Sequence, residues 1–297
     1  MESGVCLVHK ETGGTSFDVV RAFSREAREE GLKKYPLGHG GTLDPFASGL
    51  LLILAGQATR LMELMHPLPK TYVAVLAWGA ETDTCDHLGR PMAEGDASAL
   101  SPAMLDAALA AFLGWRDQVP PATSAKKIDG EAAYRKAHRG EEVLLPPSRV
   151  YLHEARWLDH DLPKRSRLEL TCRGGYYVRA LARDLGRQLG CGAHLAGLDR
   201  SAIGPWSDPA PGAREWVRGE ALVPWCRSRW LTGDEAASLG HGRAIPLGEM
   251  EEPTWKLPAG FPDPVAPIRA LHEGRLVALL REQEGGLRTF ANLRGGL

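Results

Sequence analysis

One carboxylate in a glycine-rich loop is the group in this chain best placed to do chemistry. Residues 38–59 read GHGGTLDPFASGLLLILAGQAT. Pro45 fixes its own φ and restricts Asp44 to extended geometry, while Gly38, Gly40 and Gly41 permit a tight loop beside it. A carboxylate held that rigidly can serve as a nucleophile or a general base. Asp-Pro is also a common turn dipeptide, so the pair alone assigns nothing. The glycines are not a phosphate cradle, because the lysine and hydroxyl of a P-loop and the spacing of a dinucleotide fingerprint are both missing. A second acidic group, Asp83 and Asp86 in TDTCD, is spaced like a turn and not like a calcium loop. Acting with Asp44, these residues would suit a hydrolase, and chelator sensitivity would be its mark.

The loop needs an anchor, and the run Leu50 to Leu54 that follows it must be buried. GVCLVHK reads as a strand ending in a Gly13-Gly14 turn, and TSFDVVRAFSREAREE as a capped amphipathic helix starting near Ser16. TYVAVLAWG reads as a strand, ETDTCDHLGRP as a polar turn and SPAMLDAALAAFLG as a helix with proline in its first turn. Residues 117–149 are basic and broken by proline pairs, the composition of an exposed excursion. VYLHEARWLDH and SRLELTCRGGYYVRAL read as strands, the latter passing into the helix ALARDLGRQLG with Gly190 as its stop. The mixture without regular β-α-β spacing predicts an α+β fold with a mixed, largely antiparallel sheet flanked by helices. Near residue 225 the character changes to a small β-rich tail containing IRALHEGRLVALLREQ and GGLRTFANL, giving expected domains of 1–228 and 229–297.

The 297 residues are 43% hydrophobic and 25% charged, an ordinary globular composition with formal charge of -1. Charge is uneven. Residues 164–200 hold eight basic and three acidic residues, net +5. Arg183 and Arg187, four apart, fit a solvated helix face. Five scattered cysteines without a C-x-x-C pair give neither a disulfide framework nor a zinc knuckle, and imply a reducing, cytoplasmic compartment. No export or membrane signal is present; the apolar run at Leu50 is too short to span a bilayer.

The loop sequence closely resembles the signature G-H-x-G-x-L-D-P-x-A-x-G of the TruB family of pseudouridine synthases. Three further blocks extend the resemblance over most of residues 4–206: Lys70-Thr71-Tyr72 with GAETDTCDHLG at 79–89; Val119-Pro120-Pro121 through Ser124-Ala125-Lys126-Lys127, with Gly130, Tyr134 and Ala137; and Gly175 to Arg179 with Asp184-Leu185-Gly186, Gly192-Ala193-His194 and Leu198. The tail is similar to a PUA module, an RNA-binding fold. Three departures stand out: Lys10-Glu11-Thr12-Gly13 in place of K-P-x-G, Tyr176 in place of a small hydroxyl residue, and Asp199 in place of a basic one.

The resemblance implies isomerisation of the T-loop uridine of tRNA, conventional position 55, to pseudouridine, with no metal or other cofactor; relatives with a similar core act with guide RNAs in larger particles, but the stand-alone length and the full basic excursion argue for a guide-free enzyme. It places Asp44 as nucleophile, Arg179 as the cation that keeps it ionised, and Tyr72 as a stacking group that assists proton removal. Tyr177 and Leu198 would line the same pocket, His39 would fill the gap left by a flipped base, and Lys10, Lys126, Lys127 and Arg139 would hold RNA. The expected partner is the T-arm of tRNA, bound by a cytoplasmic monomer, and the tail would add affinity without chemistry. A non-catalytic RNA-binding or RNA-folding protein is the alternative.

Overall fold

The computed structural model describes residues 2–297 except 125, 129, 142, 264 and 265, and the side chains of residues 127, 128, 132 and 138 also fall outside the description. The chain divides into two compact units, Met1–Leu68 with Ala202–Leu297, and Pro69–Ser201.

In the first unit, strand Gly4–Lys10 pairs antiparallel with Ser48–Ala55, from Gly4 opposite Ala55 to Lys10 opposite Gly49. Arg214–Val217 adds to the outer side of the former, and Leu37–His39 to the latter. The leucine-rich strand is covered on both faces. Leu51 and Ile53 pack with Cys6, Val8, Val20 and Phe23, the last two on the helix Ser16–Glu29. Leu50, Leu52 and Leu54 belong to a second core with Val5, Leu7, Leu222, Trp225, Leu271, Leu276, Leu279 and Leu293. Burial on both faces is why this strand is an unbroken apolar run, without polar alternation. The helix begins as expected. Thr15 Oγ1 accepts the Asp18 N–H at 3.1 Å and the Asp18 carboxylate accepts the Thr15 N–H at 2.8 Å, a reciprocal cap.

The tail forms its own sheet in the order Ser228–Trp230, Ile268–His272, Arg275–Gln283, Gly286–Asn292, with the first pair parallel and the others antiparallel. The segment IRALHEGRLVALLREQ is two strands folded at Glu273 and Gly274, both in the left-handed region (φ 49° and 74°). This is the separate PUA-like sheet. It is not isolated, because Leu271, Leu276, Leu279 and Leu293 lie in the same core as Leu50, Leu52 and Leu54. Buried Arg269 donates to Ser228 Oγ (2.7 Å) and to the Leu222 carbonyl (3.2 Å), tying the sheet to the segment before it.

In the second unit, Pro69–Trp78 pairs antiparallel with Arg165–Arg173, which pairs with Ser148–Asp161, with Gly114–Gln118 at the edge. Ala193–Ile203 lies on the other side of Pro69–Trp78. Helices Pro102–Ala110 and Val178–Gln188 complete the α+β arrangement, and Gly190 (φ 75°) ends the second where the sequence places its stop. The 117–149 excursion has order of its own: a hairpin of Lys127–Ile128 and Glu131–Ala132 followed by helix Ala133–His138. Among the described residues no helix is long and apolar enough to cross a membrane.

Candidate active site

Asp44 sits, half-buried, in the loop joining Leu37–His39 to Ser48–Ala55, and backbone bonds pin that loop on both sides of it. Upstream, the Leu43 N–H donates to Ser16 Oγ at 2.8 Å, and that hydroxyl donates back to the Leu43 carbonyl at 3.1 Å. Downstream, the Pro45 carbonyl accepts from the Gly13 N–H at 2.7 Å. Lys10 Nζ donates to the carbonyls of Glu11 (2.9 Å), Pro45 (3.4 Å) and Ala47 (2.7 Å). At 2% exposure, Lys10 lies beneath the loop and is not open to a ligand as expected. Gly40 lets the loop lie close on the strand: a Cβ there would stand 3.1 Å from Leu52 Cβ, which would have to give way. His39, half-buried, precedes the loop opposite Ile53.

On the other unit, Arg179 lies in the first turn of Val178–Gln188 and is 5% exposed. Its guanidinium donates to the Thr84 carbonyl (2.9 Å) and to Thr123 Oγ1 (2.7 Å), and sits 3.5 Å from Asp86 Oδ2. The TDTCDHLG turn is built to hold that carboxylate. Asp86 Oδ1 accepts from Thr84 Oγ1 (2.8 Å) and the Leu88 N–H (3.0 Å), while Cys85 takes a left-handed φ of 60°. A side chain at Gly89 would collide with Thr84 Oγ1. Asp86 therefore orients Arg179, a role the sequence reading missed, and Asp83 caps its own turn by accepting the Arg90 N–H at 2.9 Å. Gln118 was also missed. Its side-chain amide donates to the Tyr177 carbonyl (3.1 Å) and accepts the Tyr177 N–H (2.9 Å), fixing the backbone from which Arg179 springs.

Tyr72, 7% exposed, faces the core side of Pro69–Trp78 opposite Leu170, and Leu198, 8% exposed, lies on Ala193–Ile203. Two residues beyond Leu198, buried Arg200 places its guanidinium carbon 6.0 Å from the Tyr72 ring centroid. Two residues before Tyr72, and so on its face, Lys70 is also buried. In the excursion, Lys126 donates to Ser148 Oγ, and Arg139 is held by Glu131 (2.7 Å) and Glu141 (2.6 Å). The Lys127 side chain lies outside the described residues. The solvated face expected for Arg183 is corrected: it is 7% exposed and donates to the Val119 carbonyl (2.9 Å) and to Asp184 (2.8 Å). Arg187 is exposed and paired with Glu81. The basic run 164–200 is therefore not one open positive stripe, since Arg179, Arg183 and Arg200 are all buried.

Burial, reinforced by Arg200, brings the Lys70 ammonium from 10.5 down to about 7. Between these values the unfolded chain holds a proton that the folded protein has lost, so folding stability rises with pH above about 7. Above about pH 9 buried thiols reverse the trend. Cys6, Cys172 and Cys226 are pushed up to about 11, 12 and 12, so there the unfolded chain releases protons that the folded protein keeps. We expect unfolding free energies from denaturant titrations to show a gain of about 1 kcal/mol from pH 7 to 8.5 and a decline beyond 9. Lys70→Met should erase the gain; a rise that survives this substitution would assign it to another group.

The family model described as TruB family pseudouridylate synthase (N terminal domain) matches residues 29–178. A tRNA pseudouridine synthase B of Arthrobacter sp. (strain FB24) is 36% identical, covering 96% of this chain and 94% of its own. The same enzyme of Xanthomonas campestris pv. campestris (strain 8004) is 41% identical over 80% of this chain and 72% of its own. The chain belongs to the TruB family. It is accordingly a pseudouridine synthase, an isomerase. A Cbf5-Nop10-Gar1 complex contains a chain with the same fold as this TruB member, with a TM-score of 0.67 at 22% identity, covering 97% of this chain and 84% of that one. Among the described residues, no group of three or more His, Cys, Asp or Glu could hold a metal ion.

Proposed function

We propose that this enzyme isomerises the T-loop uridine of tRNA, conventional position 55, without a guide RNA, using Asp44 as nucleophile. The observation that carries the reading is the pinning of Asp44 through the backbone of its neighbours Leu43, Pro45 and Ala47. These bonds fix the backbone from which the carboxylate projects, as near-attack geometry demands. The full-length relative named for tRNA supports the substrate. Arg179 supplies the charge that keeps the nucleophile ionised, Tyr72 stacks on the uracil and takes part in removing the carbon-bound proton, and Tyr177 and Leu198 line the base pocket. His39 fills the space left by the flipped base. The enzyme works as a cytoplasmic monomer needing no metal or cofactor, with residues 229–297 as its PUA-like domain.

Pseudouridine mapping in an unmodified tRNA transcript, with a T-arm hairpin alongside, tests the reading. Product at the T-loop uridine in both is expected; product elsewhere, or only when a second RNA is added, would overturn it.

Lys126, Lys127 and Arg139 hold phosphates in this reading, although Arg139 must first leave Glu131 and Glu141. Replacing them and Lys136 by Ala should weaken tRNA binding and flatten its log–log salt dependence by roughly one unit for each phosphate no longer neutralised. Turnover at saturating tRNA should change far less. An unaltered salt slope would remove the excursion from the RNA-binding surface.

A further inference from the structure

Part of the grip on Arg179 comes from outside the TDTCDHLG turn. Its Nη1 donates to the Thr123 hydroxyl (2.7 Å) as well as to the Thr84 carbonyl (2.9 Å), and its Nη2 donates to the Thr123 carbonyl (3.2 Å). Thr123 thus spans both terminal nitrogens. A planar guanidinium held at both ends of its fork cannot turn out of its plane. Thr123 stands at the root of the 117–149 excursion, on an arm whose course is set against the helix that carries Arg179. Gln118 exchanges two bonds with the Tyr177 backbone (3.1 and 2.9 Å), and the Val119 carbonyl accepts from Arg183 (2.9 Å). Pro120 and Pro121, both buried, lock φ at the next two positions. Beyond Thr123 the excursion takes up its own order, with the Ser124 carbonyl accepting the Tyr134 N–H (3.0 Å) and the Lys126 carbonyl accepting the Ala133 N–H (2.7 Å).

Burial of a guanidinium asks for acceptors but not for any one orientation. A cation that must face a nucleophilic carboxylate needs its direction fixed as well, because a misplacement of about 1 Å can cost roughly 10²-fold in rate. We propose that Thr123 is a positioning residue for the isomerisation, its hydroxyl setting the plane of the Arg179 guanidinium, an assignment that rests on the role given to Arg179 above. The excursion then has two kinds of residue. Its lysines and Arg139 act on RNA affinity, whereas Thr123, on an arm fixed by Gln118, Val119 and the two prolines, acts on the rate of the bound complex. No bond in that arm needs RNA to form it, so the guanidinium is oriented before the substrate arrives.

The test reads single-turnover pseudouridine formation at saturating T-arm hairpin and, separately, hairpin affinity, for the wild type, Thr123→Val, Thr123→Ser, Arg179→Lys and the Thr123→Val, Arg179→Lys pair. Thr123→Val keeps the shape and the carbonyl but loses the hydroxyl. It should lower the rate by about tenfold, the scale of one charge-assisted hydrogen bond, with affinity within about twofold. That is the reverse of the pattern expected for the phosphate-holding residues. Thr123→Ser, which restores the hydroxyl, should come within about threefold of the wild-type rate. In Arg179→Lys a single ammonium replaces the fork and cannot fill both Thr123 acceptors, so adding Thr123→Val there should cost less than about threefold. A full tenfold loss in that background, a serine variant as slow as the valine one, or lost affinity at an unchanged rate overturns the proposal. A wild-type rate from Thr123→Val overturns it too, and with Arg179→Lys strongly impaired leaves the role of Arg179 standing. Near-normal turnover by Arg179→Lys overturns that role itself. If Thr123→Val does not melt cooperatively, Thr123→Ala is read by the same criteria, and failure of both to fold makes Thr123 a structural residue and overturns the proposal.

Discussion

Asp44→Asn should abolish pseudouridine formation, lowering the single-turnover rate by roughly 10⁴-fold or more, the scale on which removal of an essential nucleophile acts. Binding of tRNA should stay within a few-fold, less than about 1 kcal/mol. The expectation is sharp because of how the loop is held. Lys10, Gly13 and Ser16 grip main-chain groups of Leu43, Pro45 and Ala47, so the loop backbone keeps its course when the carboxylate becomes an amide and loses its charge and nucleophilicity. Substantial product from Asp44→Asn, measured over hours at saturating enzyme, would remove Asp44 from the chemistry.

Deleting residues 229–297 should destroy activity on whole tRNA and on a T-arm hairpin alike. The sequence suggests a tail that adds affinity and leaves catalysis intact, but the tail contributes Leu271, Leu276, Leu279, Leu293 and Leu297 to the core that covers Leu50, Leu52 and Leu54. At about 2 kcal/mol for each buried leucine, these five account for ~10 kcal/mol of burial, comparable with the whole stability of an ordinary domain. The strand that anchors the Asp44 loop would lose one of its two covers. We expect the fragment to be insoluble or to lack a cooperative melting transition. A soluble fragment that melts cooperatively and turns over the hairpin at the normal rate would show that the tail is a detachable RNA grip after all.

The legible parts of the chain were those governed by local rules. The cap at Thr15, the proline-led helix at Pro102, the glycine stop at Gly190 and the burial of the Leu50–Leu54 run all followed from short-range chemistry. The strand Ala193–Ile203 did not, since Gly197, Asp199 and Arg200 interrupt its apolar pattern; Arg200 is buried there for reasons that only its neighbours disclose. The same limit hid the work of Asp86 and Gln118, whose partners lie 93 and 59 residues away in the sequence, at Arg179 and Tyr177. Lys10 was assigned to the substrate although it is buried, because a lysine in a loop motif looks identical whether it grips a phosphate or three carbonyls.

The leucine-rich strand also has a history during synthesis. Its residues leave the ribosome long before the segment beginning at Ile268 that covers one of its faces, an interval of some 213 residues between Ala55 and Ile268. At 5–20 residues per second this is roughly 10–40 s in which Leu50, Leu52 and Leu54 lack their final partners. Leu-Leu-Leu-Ile-Leu has the composition of an aggregation-prone segment. Slowing translation of the last third of the message lengthens this period of greatest hazard for the nascent chain.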